Sequence, residues 1–99
     1  MATADITVIG LGRSDPSASE YIAEVQRRLA AQDKVSYRLG PMGTALEGET
    51  RDILAVAVEL HEVPFDLGLP RVYTVLKLDE RRDKEQTLDD KVRSVEERL

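Results

Sequence analysis

The sequence predicts an α+β domain of element order β-α-β-β-α-β-α, and three observations carry that prediction. Four short stretches, at 5–12, 34–40, 42–48 and 70–80, have strand character. Three longer ones, at 13–33, 49–65 and 87–99, repeat apolar residues at helical spacing. Glycine and proline punctuate the joins, most clearly at Gly40-Pro41.

"DITVIGLG" is rich in β-branched residues, and both its faces, Ile6/Val8 and Thr7/Ile9/Leu11, are largely apolar, as in a strand covered on both sides. In the helix that follows, Asp15-Pro16 supplies an N-cap and first helical residue, and Ser17 with Glu20 a second capping box. Its stripe is Ala18, Ile22, Val25 and Leu29. "KVSYRLG" sets Val35, Tyr37 and Leu39 against Ser36 and Arg38, a half-buried strand, and "MGTALEG" is the return strand after the turn. The second helix places Ile53, Ala57 and Leu60 on one face beside Leu54, Val58 and His61, and Pro64 marks its end. "PRVYTVLKLDE" turns Val72, Thr74, Leu76 and Leu78 one way and Arg71, Tyr73, Val75, Lys77 and Asp79 the other. Thr87 with Asp90 opens a last helix carrying Leu88, Val92, Val95 and Leu99. Without that helix the order is the split β-α-β arrangement of ferredoxin-like domains: a four-stranded antiparallel sheet with two helices on one face. The other face would then expose Ile9, Leu11, Tyr73 and Val75, an apolar patch that an oligomer would cover.

Ninety-nine residues make one domain, 1–99. The chain has no cysteine and one histidine, which excludes disulfides, thiolate nucleophiles and zinc-thiolate sites and argues against a protein-only transition-metal site. A net charge of −5 opposes a phosphate backbone, so nucleic acid is not the expected partner. The two central strands expected of this topology, 5–12 and 42–48, carry no aromatic on which a base could stack. No apolar run approaches a membrane span and no basic stretch precedes the first strand, so the expected location is the cytoplasm.

"PMGTALEGET" is the stretch that folding alone explains least. Gly43 and Gly48 weaken a strand and Pro41 removes a ladder donor, leaving bare backbone, the Thr44 hydroxyl and the Glu47 carboxylate available to a ligand. Structural uses compete: glycine at a bulge, threonine as a good strand former, and Glu47 paired with Arg38 or Arg71. His61 is either a partly buried histidine lining the core or a ligand or interface contact. No serine, histidine or carboxylate sits in a nucleophile motif, so an enzyme would need Glu47 and His61 to converge on one pocket.

"YRLGPMGTALEGE", "LHEVPFDLGLPRVYTVLKLDERRDK" and "KVRSVEERL" together resemble the small thiamine-binding-protein family, over nearly the whole chain from Val8 to Leu99. The resemblance implies a homotetramer, a dimer of dimers built on sheet-face and edge contacts, that binds thiamine or its hydroxymethylpyrimidine moiety without catalysis and without a cofactor, as carrier, buffer or sensor. On that reading Glu47 would bond the aminopyrimidine, Gly43 and Thr44 would line the pocket, Tyr37 would wall the ring, and His61 would touch ligand. Arg71 would order the pocket or bridge subunits. The loop "IGLGRSDPSAS" departs from the family's usual proline-containing small-residue loop, and Arg13 and Asp15 in it would alter which ligand fits. The alternative is a regulatory or structural homo-oligomer with no thiamine-type ligand.

Overall fold

The computed structural model describes residues 1–12 and 18–99. Its elements are β1 (Ala2–Leu11), α1 (Ala18–Ala30), β2 (Ser36–Leu39), β3 (Thr44–Gly48), α2 (Thr50–Asp66), β4 (Arg71–Glu80) and α3 (Leu88–Glu96). The strands form one sheet in the order β2-β3-β1-β4, every neighbouring pair antiparallel. This is the expected ferredoxin-like α+β arrangement, with β1 and β3 in the centre. The capping residues read for α1 at Asp15-Pro16 and Ser17, like Arg13, fall outside the described residues.

Register sorts the side chains into two faces. Ala4 pairs with Leu46 and Leu78, and Ile6 with Thr44 and Leu76. Those even positions of β1 lie under α1 and α2, where Leu29, Leu46, Ile53, Leu60 and Val63 are fully buried. Each such aliphatic side chain contributes about 1.5–3 kcal/mol by leaving water. The odd positions, Thr3 to Leu11, share the other face with Ala45, Glu47, Tyr73 and Val75. Ile9, Leu11, Tyr73 and Val75 therefore lie together on the sheet's second face, as the alternation predicts.

Four local expectations shift. β1 begins three residues before the β-branched run, because Ala2 and Thr3 find partners on both sides, Gly48 and Glu47 in β3 and Glu80 and Asp79 in β4. Two-sided pairing overrides alanine's low strand preference. In α1 the buried stripe is Tyr21, Val25 and Leu29, while Ile22 is turned outward. Tyr21 wins the core position because β1 offers it Gly10: a Cβ there would stand 2.5 Å from Leu69 Cδ1, 3.0 Å from Tyr21 Cε1 and 3.1 Å from Pro64 Cβ. Pro64 does not stop α2, which runs to Asp66 and ends where Gly68 takes a φ of +91° and Leu69 N donates to the Pro64 carbonyl. Finally, Tyr37 and Leu39 of β2 point to the helix side yet stay exposed, because β2 is an edge strand beyond the main helix layer.

α3 starts with the expected capping box: Thr87 Oγ1 accepts from Asp90 N and the Asp90 carboxylate accepts from Thr87 N. Those bonds hold the Asp90 carboxyl below its ordinary value. The helix crosses one end of the second face, above the buried Thr3, and buries none of its own residues fully. The contact at Gly10 supplies a test of the core. Gly10→Ala should lower stability by about 1–3 kcal/mol, read as a drop in the urea midpoint, and a wild-type midpoint would show that the core absorbs the methyl group.

Candidate functional site

β1 pairs with β4 from Ala2 to Leu11 but with β3 only from Ala2 to Ile6. Beyond Thr44 the chain leaves the ladder in a tight hairpin, closed where Gly40 N donates to the Gly43 carbonyl at 2.8 Å, with Pro41 and Met42 at its tip. Proline's fixed φ suits the first corner of such a turn. A cavity of about 230 Å³ opens where β1 loses its neighbour. Ile6, Thr7 and Val8 form its floor, Ile22 and Val25 of α1 one wall, and Leu39 to Thr44 the other.

Two contacts hold the hairpin over this space. The Thr7 hydroxyl donates to the Met42 carbonyl at 3.1 Å. Gly43 lies so close to β1 that a Cβ would stand 2.9 Å from both Asp5 Oδ1 and Thr7 Oγ1. The glycine is thus explained by close approach to β1, while its backbone also lines the cavity. Thr44 is 5% exposed, and its hydroxyl accepts from Gln26 Nε2 at 3.1 Å. Because that hydroxyl already accepts from the amide, its own proton is available to an acceptor in the cavity.

The structure brings Gly43 and Thr44 together at the cavity and places the other sequence candidates elsewhere. Strand alternation separates Glu47 from Thr44: three residues apart, they point to opposite faces. Glu47 Oε1 accepts from Leu88 N at 3.1 Å, so it caps the first turn of α3. Beside it Arg38 pairs with Asp89 at 2.6 Å, and that hydrogen bond raises the guanidinium above its ordinary value. Lys91 to Asp79, at 2.5 Å, completes the seating of α3. Tyr37 stands on edge strand β2, opposite Leu46. His61 Nδ1 is 2.7 Å from Thr74 Oγ1, and its ring meets Phe65 edge-on at 5.7 Å between centroids. That puts His61 against β4 on the helix side, across the sheet from Glu47. Arg71 opens β4 at the far edge and makes no ion pair with a described residue. Among the described residues no group of three histidines and carboxylates is placed to hold a metal ion, and no helix is long and apolar enough to cross a membrane.

Thr7 and Ile22 line the cavity and Gln26 holds the Thr44 hydroxyl, and sequence reasoning passed over all three. Ile22 reads as core in a helical stripe, and only Tyr21's contact with Gly10 turns it toward the hairpin. For Thr7 and Gln26 no sequence signal exists, since their partners are 35 and 18 residues away.

The cap on α3 predicts a pair of outcomes. Glu47→Ala should destabilise α3 by about 1 kcal/mol and speed amide exchange at Leu88, whereas Glu47→Gln keeps an acceptor oxygen and should exchange nearly as slowly as wild type. Equal exchange in all three proteins would remove the cap from the account of α3.

Comparison with known proteins follows the same outline. The family model described as thiamine-binding protein matches residues 4–96. The UPF0045 protein YqgV of Bacillus subtilis is 47% identical over 102 residues, covering all of this chain and 98% of its own. A UPF0045 protein of Methanothermobacter thermautotrophicus is 45% identical over 100 residues, covering both chains fully. Among solved structures, the MJ1052 protein of Methanocaldococcus jannaschii superposes with a TM-score of 0.85 at 32% identity, over 97% of this chain and 96% of that one. A candidate thiamine biosynthesis/salvage protein of Thermotoga maritima gives 0.79 at 23% identity, over 95% and 97%, and shares the fold. With a family match spanning nearly its whole length, this chain belongs to the thiamine-binding protein family.

Proposed function

We propose that the protein is a non-catalytic binder of thiamine or its hydroxymethylpyrimidine moiety, acting in the cytoplasm as carrier, buffer or sensor. The observation that carries this reading is the cavity under the Leu39–Thr44 hairpin, which is concave and largely apolar, with one buried hydroxyl. Such sites are the usual form of small-molecule pockets. Family membership supports the class of ligand. Among the described residues the sheet separates Glu47 from His61, and neither lines the cavity. Gly43 and Thr44 contact the ligand; Glu47, Tyr37, His61 and Arg71 serve the frame and the assembly.

Titration calorimetry with thiamine and hydroxymethylpyrimidine should give a micromolar dissociation constant, about 8 kcal/mol, and Thr44→Val should weaken it about tenfold. If neither compound binds, the reading gives way to a regulatory or structural oligomer.

The assembly is a homotetramer, a dimer of dimers, and β4 is one of its contacts. Ten residues of β4 have a bare edge, which single chains seldom leave unprotected. A two-fold axis normal to the sheet keeps every side chain on its own face, so partners across the edge must share odd or even number. Centred on Val75, the register sets Arg71 against Asp79, Tyr73 against Lys77 and Val72 against Leu78 of the second copy. Centred one residue earlier, it would oppose Arg71 to Lys77; one later, it would set Val75 against Lys77. Cross-strand pairs of opposite charge stabilise and like pairs repel. Val75→Cys should therefore oxidise to a covalent dimer, while Lys77→Cys should not; equal cross-linking of the two would rule out this register.

A further inference from the structure

We propose a second small-molecule site, beneath α3 on the face of the sheet opposite the hairpin cavity, that takes a small zwitterion of the α-amino-acid type. It does not rest on the ligand proposed above, and the failure of either reading leaves the other intact.

α3 does not close onto the sheet. A cavity of about 300 Å³ remains under its first turn, at the low end of the size of ordinary ligand pockets. Thr3, Asp5 and Ala45 form its floor, and Leu88 and Lys91 its roof. The floor is small and polar where a helix seated on a sheet would ordinarily meet an apolar layer.

Two ladder rows set out the polar groups. One runs Ser36, Glu47, Thr3, Asp79 across the four strands, and the next runs Arg38, Ala45, Asp5, Lys77. Most of the charge in these rows is spent on α3: Glu47 caps Leu88, Asp79 pairs with Lys91 and Arg38 with Asp89. Three adjacent groups are left over. Thr3 is 4% exposed, and its hydroxyl bonds to no described residue, although buried hydroxyls are satisfied as a rule. Among the described residues no side-chain oxygen or nitrogen is both sealed from solvent and unpartnered, so this hydroxyl opens into the cavity that Thr3 lines. Asp5 and Lys77 are direct partners in the β1–β4 register, yet they form no ion pair with each other or with another described residue. Both line the same space.

The balance of charge selects the ligand. With Asp79 and Lys91 included, the lining carries two carboxylates and two ammonium groups. A simple anion would meet Asp5 and Asp79, and a simple cation would meet Lys77 and Lys91. A molecule bearing both charges finds a partner for each. Its ammonium group donates to Asp5, and its carboxylate accepts from Lys77 and from the Thr3 hydroxyl. Bonds assisted by charge are the stronger kind. Ala45 and Leu88 offer apolar contact to a short aliphatic side chain.

The test is an amide-spectrum titration of the intact protein with L-alanine, and with acetate and methylammonium as its separate halves. L-Alanine should move the Thr3, Leu88 and Lys91 amides saturably, with a millimolar dissociation constant, and each half should bind about tenfold or more weakly. Asp5→Asn and Lys77→Met change exposed positions, so both variants should keep the wild-type urea midpoint. Each should nonetheless weaken L-alanine about tenfold. Three amides unmoved by L-alanine would overturn the proposal. So would acetate that binds as well as L-alanine, or folded variants that bind it as wild type does.

Discussion

β1 is ten residues long and its central neighbour β3 is five, and the molecule is arranged around that mismatch. Over Ala2 to Ile6 the two strands share a ladder, and the core beneath it is closed by Leu46, Ile53 and Leu60. Past Ile6 the ladder opens, and the chain must dispose of β1's remaining backbone groups. It does so on one side with β4, which follows β1 to Leu11. On the other side it folds a hairpin back over the gap, tied down by Thr7 and by the close approach of Gly43. A longer β3 would have produced a complete sheet with no cavity.

The two faces of the sheet are finished to different degrees. The helix face is closed within the chain by side chains at near-zero exposure, as a small domain needs when its core is limited. Among the described residues the second face is covered only where α3 lies, and α3 is held by a cap and two ion pairs more than by apolar contact. Exposed ion pairs contribute about 0–1 kcal/mol each, so the attachment of α3 is polar and modest. Tyr73, Val75, Val92 and Val95 remain in the open beside it. The sheet thus has one closed and one open face, and the edge of β4 adjoins the open one.

Glu47 shows how a strand divides one run of sequence between two faces. In the sequence it stands with Gly43 and Thr44 in one unusual run, and the three read as one constellation. In the fold, Thr44 looks toward α1 and Gln26 while Glu47 looks toward α3 and Leu88. The period of two in a strand is enough to put neighbours in sequence on opposite sides of a layer one backbone thick. The irregular run builds a hairpin crossing an open ladder on one face and a helix cap on the other.

Much of the frame could be read from the sequence, because the residues that build it act locally. The Thr87–Asp90 box, the Gly40-Pro41 turn and the alternation of β4 each depend on neighbours within four positions, and hydrophobic periodicity then separates the sheet's two faces. The ends and faces of elements were less legible where distant residues decide them: α2 runs past Pro64 to Asp66, and Tyr21 displaces Ile22 from the core where Gly10 leaves it room. The cavity was legible only as an oddity at residues 41–50. What made it a cavity was the length difference between two strands far apart in the chain, together with a threonine and a glutamine whose partners lie 35 and 18 residues away. Local propensity and pattern determined which elements form and which face each strand residue takes. Only tertiary pairing decided where the ladder breaks, because a break is a relation between strands and belongs to neither one alone.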